Sequence, residues 1–103
     1  MKKVIDGKLY NTQTAELIAE HESPRYYRSD FGWYIDRLYK TKRGAWFIEG
    51  EGHAASHWSR SCGQNCSGPG SGLKPITNEE ARNWLEYHGE IDLLEKYFVI
   101  QEA

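Results

Sequence analysis

Residues 32–52 read GWYIDRLYKTKRGAWFIEGEG. Trp33, Tyr34, Ile35, Leu38 and Tyr39 are residues that suit a pleated, half-buried surface. The run Lys40-Thr41-Lys42-Arg43-Gly44 interrupts them, and Ala45 to Gly50 returns to apolar character. The stretch predicts an antiparallel hairpin with its turn ending at Gly44, and the rest of the chain is read outward from it.

Upstream, VIDGKLY (4–10) carries Asp6-Gly7 between short apolar stretches. Both central residues of a type I′ turn need positive φ, so Asp-Gly predicts a second hairpin. NTQT (11–14) reads as a turn. Ala15 to Glu22 fits two periods. Ala15, Ile18, Ala19 and Glu22 would share a helical face, whereas Ala15, Leu17, Ala19 and His21 alternate as in a strand. The surrounding hairpin chemistry favours the strand. SPRYYRSD (23–30) is a loop, broken at Ser23-Pro24.

Downstream, residues 52–74 are expected to be a Gly/Ser-rich loop. Six of the ten glycines fall between Gly50 and Gly72, including the run SGPGSG (67–72). Loops of this length in a small domain are usually functional or mobile. PITNEEARNWLEYHG (75–89) then predicts a helix. Thr77 is its N-cap and Glu80, three residues on, completes a capping box. Ala81, Trp84, Leu85 and His88 form one face, and Gly89 is the stop. EIDLLEKYF (90–98) predicts a second short helix with Ile91, Leu94, Tyr97 and Phe98 facing inward. The expected class is α+β: an antiparallel meander of three to four strands with a C-terminal helical pair packed on one face. At 103 residues one domain is expected, β-rich over 1–51, a loop over 52–74 and helical over 75–103.

Apolar residues make up 39% of the chain and aromatics 14%. No apolar run is long enough to cross a bilayer as a helix. MKKVIDGKLY has two lysines and no apolar core, so a secretory signal is not expected. The expected location is the cytoplasm, with both cysteines reduced. The net charge of −2 hides an asymmetry. Residues 25–46 hold six basic and two acidic side chains, and residues 77–103 hold seven acidic and two basic ones.

HAASHWSRSCGQNC (53–66) places His53, His57, Cys62 and Cys66 at spacing H-x3-H-x4-C-x3-C. Zinc sites pair ligands more closely and in another order, so no metal is expected. Cys62-x3-Cys66 is not the C-x-x-C redox motif, and a Cys-His pair alone makes no mechanism. Glu49 and Glu51 share a strand face and read as a solvated face or an edge guard. GPGSG lacks the Lys-Ser/Thr of a phosphate loop. No catalytic constellation and no cofactor follow from these residues. Two binding surfaces do. The basic and aromatic segment 25–46, through Arg25, Arg28, Arg37, Lys40 and Arg43, mixes the groups that neutralise phosphates and stack bases. The loop side chains His57, Trp58 and Arg60, with Glu79, Glu86 and Glu90 of the acidic helices, suit a protein partner.

KKVIDGKLYNTQTAELIA, LYKTKRGAWFIEGEG, SCGQN followed by SG, and ITNEEARNWLEYHGE together resemble a group of small, mostly uncharacterised bacterial and phage proteins. The resemblance covers nearly the whole chain in order. Its pattern has G-E-G-G where this chain has Gly50-Glu51-Gly52-His53, and Lys or Arg near His57. Glu51, Arg60, Gly63 and Asn65 fit it. Longer members append a ribbon-helix-helix DNA-binding segment that is not among these 103 residues. The resemblance and the acidic profile imply a non-enzymatic phage or mobile-element protein. Its expected partner is a host protein complex such as a CRISPR-Cas or other bacterial defence assembly, as anti-CRISPR proteins bind. A small nucleic-acid-binding module is the alternative.

Overall fold

The structure is a computed structural model, and it describes residues 1–64 and 66–103, Cys62 through its backbone only. The described residues form three antiparallel sheets and two helices. β1 (Lys2–Ile5) and β2 (Lys8–Asn11) form the first hairpin. Asp6 and Gly7 have φ of 51° and 76°, as the Asp-Gly turn requires. β3 (Glu16–Glu22), β4 (Tyr34–Lys40), β5 (Trp46–Gly52) and β8 (Gly70–Ile76) make the main sheet in the order β3-β4-β5-β8. β6 (Arg60–Gly63) and β7 (Cys66–Gly68) form a small ribbon. α1 (Asn78–Tyr87) and α2 (Ile91–Tyr97) complete the α+β architecture.

The central hairpin β4–β5 has the turn anticipated from sequence. Gly44 has φ +88°, its N–H donates to the Thr41 carbonyl at 2.9 Å, and the Ala45 N–H donates to Thr41 Oγ1 at 3.0 Å. β3 is a strand with a bulge between Leu17 and Ala19. The bulge turns Ile18 and Ala19 toward the same core. Two adjacent residues facing one way mimic a helical period, which is why that segment fits both readings.

The sheet divides the interior into two clusters. On one face Leu38 and Trp46 pack with Ala81, Leu85 and Leu94 of the helices. On the other, Tyr39 and Phe47 stack at 5.0 Å, and Tyr10 of the first hairpin meets Phe47 edge-on at 5.6 Å. Trp46 stacks on Phe98 and meets Tyr97 edge-on, closing the helical side. α1 has the capping box intact: Thr77 Oγ1 accepts from the Glu80 N–H at 3.1 Å, and Glu80 Oε1 accepts from the Thr77 N–H at 3.0 Å.

Three expectations need correction. Residues 52–74 are not one loop, because β6, β7 and the first five residues of β8 lie within them. The helical part begins at Asn78, since β8 continues through Pro75 and Ile76. Among the described residues β8 pairs only with β5, and an edge strand tolerates a proline that cannot donate to a ladder. Cys66, exposed on β7, is disulfide-bonded rather than reduced. No helix among the described residues is long and apolar enough to cross a membrane.

Candidate functional site

Four glycines pair across β5 and β8, Gly50 with Gly72 and Gly52 with Gly70. By strand alternation all four face the same side as Leu38 and Trp46. They leave a floor without side chains, and the segment 53–59 folds over it. A Cβ on Gly50 would stand 2.5 Å from Trp58 Nε1, and one on Gly72 would stand 2.9 Å from Trp58 Cζ3. Ser56 occupies the space over Gly52, and the Trp58 carbonyl and the Arg60 stem cover Gly70.

Asp36 of β4 organises the polar side of this floor. Its Oδ1 accepts from Trp58 Nε1–H at 2.6 Å and from His57 Nε2–H at 2.8 Å. The His57 ring meets Tyr34 edge-on at 4.5 Å. Burial, followed by the Asp36 and Tyr87 charges, raises the Tyr34 phenol above its ordinary value. Across the β3–β4 ladder from Asp36 lies His21, which stacks on His88 of α1 at 3.7 Å and approaches Glu90 at 3.4 Å. Burial and then the His21 charge lower the His88 pKa, against opposing pulls from Asp36 and Glu90.

Trp58 is half-buried and hydrogen-bonded. His57 is half-exposed on Asp36, and Arg60 is exposed, with Nη2 donating to the Ser71 carbonyl at 3.1 Å. Glu90 is turned toward His21. Glu79 is exposed in the first turn of α1, and Glu86 is exposed beside Arg82 at 3.4 Å. His53 donates from Nε2 to the Arg28 carbonyl. Among the described residues, no three of His, Cys, Asp and Glu come together as metal ligands. Asn65 and the Cys62 side chain lie outside the described residues.

The basic segment is dispersed. Arg37 and Lys40 are three apart on β4, so they leave opposite faces of the sheet. Arg37 binds Glu20 at 2.9 Å and Glu49 at 3.1 Å, and lies 3.8 Å from Glu51. Its guanidinium thus faces three carboxylates. The same contacts correct the reading of Glu49 and Glu51: they sit on the central strand β5 and hold a cross-strand ion cluster, rather than guarding an edge. Lys40 lies over the rings of Trp46 and Tyr97, and Arg28 lies 4.9 Å over Trp33. Arg25 and Arg43 are exposed on loop and turn.

One surface was not legible from the chain. Ile91, expected in the core, is 66% exposed, and Val99 and Ile100 are exposed beyond α2. These three line a groove of about 810 Å³ with Glu86, Glu95 and Glu102. The lining thus sets apolar side chains among three glutamates, with Arg82 beside Glu86 in the same groove. No protein-family model, curated protein or solved structure matches the chain.

Proposed function

We propose that the protein acts by occupancy, seating its helical face on a basic surface of a bacterial host complex and blocking it. The observation that supports this is the groove in which Ile91, Val99 and Ile100 stand among Glu86, Glu95 and Glu102. Exposed apolar side chains rimmed by charge mark contact surfaces. An acidic rim steers association toward a cationic partner and rejects anionic ones. The partner chemistry is a nucleic-acid channel lined with Lys and Arg, the kind a CRISPR-Cas effector or similar defence assembly presents. Of the acidic side chains named from sequence, Glu86 lies at this rim, while Glu90 is engaged by His21. The function is that of a binding inhibitor of the phage or mobile-element kind, working without chemistry of its own.

The test is target-DNA binding by a panel of purified guide-loaded CRISPR-Cas effectors, with and without this protein. One effector is expected to lose target binding. The doubly reversed variant Glu86→Lys/Glu95→Lys is expected to inhibit about tenfold more weakly, since reversed charges at a complementary interface repel. The proposal fails if no effector in the panel responds, or if the reversed variant inhibits as strongly as the native protein.

A further inference from the structure

Lys8 lies more than thirty residues from the adjacent pair Lys42 and Arg43, yet the three line one cleft of about 570 Å³. The cleft lies between the tip of the β1–β2 hairpin and the β4–β5 turn. The packing of Tyr10 brings them together. Tyr10 is buried against Phe47 and clustered with Tyr39 and Ala45, so the first hairpin is held beside the central turn. Lys8 pairs across the hairpin with Ile5, and Ile5 packs on that cluster, so alternation turns Lys8 to the sheet side. Thr14 and Thr41 add hydroxyls to the lining.

The three cations are exposed, and among the described residues none forms an ion pair or a side-chain hydrogen bond. Asp6, the carboxylate of the hairpin tip, does not line the cleft. Glu16, on the neighbouring surface, accepts from the Tyr97 hydroxyl at 3.2 Å. Lys2 and Lys3, exposed on β1, continue the positive charge along the same hairpin. Convergent like charges without counter-charges repel one another and are relieved by an anion. An arginine fork with two ammonium groups suits phosphate oxygens. Three cations gathered in one cleft from two hairpins suit the closely spaced phosphates of a flexible single strand.

We propose that this cleft binds the backbone of single-stranded nucleic acid, with Lys8, Lys42 and Arg43 on phosphates. The volume lies in the range that encloses one drug-sized group, on the order of one or two nucleotides. The site is on the sheet face opposite the helices, and it differs from the segment 25–46 by recruiting Lys8 and leaving out Arg37 and Lys40.

The test is fluorescence anisotropy of a labelled single-stranded DNA or RNA of about 12 nucleotides, a length within the usual site sizes. Three phosphate contacts on a single strand predict a log–log salt slope of about −2, or about a 20-fold loss of affinity between roughly 50 and 200 mM salt. Lys8→Gln/Lys42→Gln/Arg43→Gln should abolish the slope, and far-UV circular dichroism should show the fold retained. Lys8→Gln alone should reduce the slope by about 0.7. Glu86→Lys/Glu95→Lys should still bind the strand, which separates this site from the helical face. The proposal is overturned by no anisotropy change at low salt or by an unaltered slope in the triple variant. Polyglutamate competing as well as the oligonucleotide, or duplex binding more tightly than single strand, would also overturn it.

Discussion

The indole of Trp58 lies over Gly50 and Gly72 with its N–H on Asp36, so a contact between two segments depends on the missing side chains of two glycines. An added Cβ at Gly50 meets the Ile35 carbonyl and the Trp58 ring at once. Neither is a flexible chain end. Gly50→Ala is expected to destabilise by about 1–3 kcal/mol, the usual result of overpacking, as read from urea unfolding. Among the described residues nothing stands closer than 4.0 Å to such a Cβ on Gly68, and Gly68→Ala should stay within about 0.5 kcal/mol. Equal effects at the two glycines would dismiss the floor as a structural device. The glycine run reads as loop from sequence because glycine is poor in strands. Its use as a floor depends on an indole that arrives from outside the sheet.

Among the elements, α1 was the most legible. Its N-terminus is decided by Thr77 and Glu80, three residues apart, and both bonds of the box are present. The backbone and side-chain contacts with Thr77 also hold the Glu80 carboxyl below its ordinary value. Thr77→Ala should cost about 1 kcal/mol, and a glutamine at Glu80, which keeps the acceptor, should cost less. A Thr77→Ala protein with an unchanged unfolding midpoint would contradict this. α2 was less legible. Leu94 is buried and Tyr97 and Phe98 are half-buried as the period requires, yet Ile91 on the same period faces solvent. A helix of two turns touches the core along only part of its length, so periodicity names the face and not how much of it is covered.

At the scale of the molecule, β3 and α1 meet through the His21–His88 stack. Tyr87, Asp36 and Glu90 stand around it, as does Trp84, which touches both rings. Burial, then the His21 charge, lowers the His88 pKa in the folded protein. Below about pH 6.5, the ordinary histidine value, the unfolded chain therefore takes up the proton more readily than the folded one. Stability from this group is complete above that pH and is lost as the pH falls toward the folded value. Urea midpoints between about pH 5 and 8 should decline on the acid side, and His88→Gln should flatten the decline. An acid limb of the same depth in the variant would refute the role of His88. The two faces of the sheet also separate charge, with acidic helices on one side and the cationic cleft of the hairpin tips on the other.

The sequence alone determined the features whose partners lie within a few residues: the Asp6-Gly7 turn, the Thr41–Gly44 turn, the capping box and the strand character of 34–52. Each is a local contest between backbone geometries, and the side chains that settle it are adjacent. Tertiary structure alone decided where the charges went. Arg37 closes on Glu20, Glu49 and Glu51, Lys40 lies over Trp46 and Tyr97, and Lys8 joins Lys42 and Arg43 across more than thirty residues of chain. Strand parity sends Arg37 and Lys40 to opposite faces, but what waits on each face comes from other strands. A long side chain's fate depends on those neighbours, and they become neighbours only when the sheet closes.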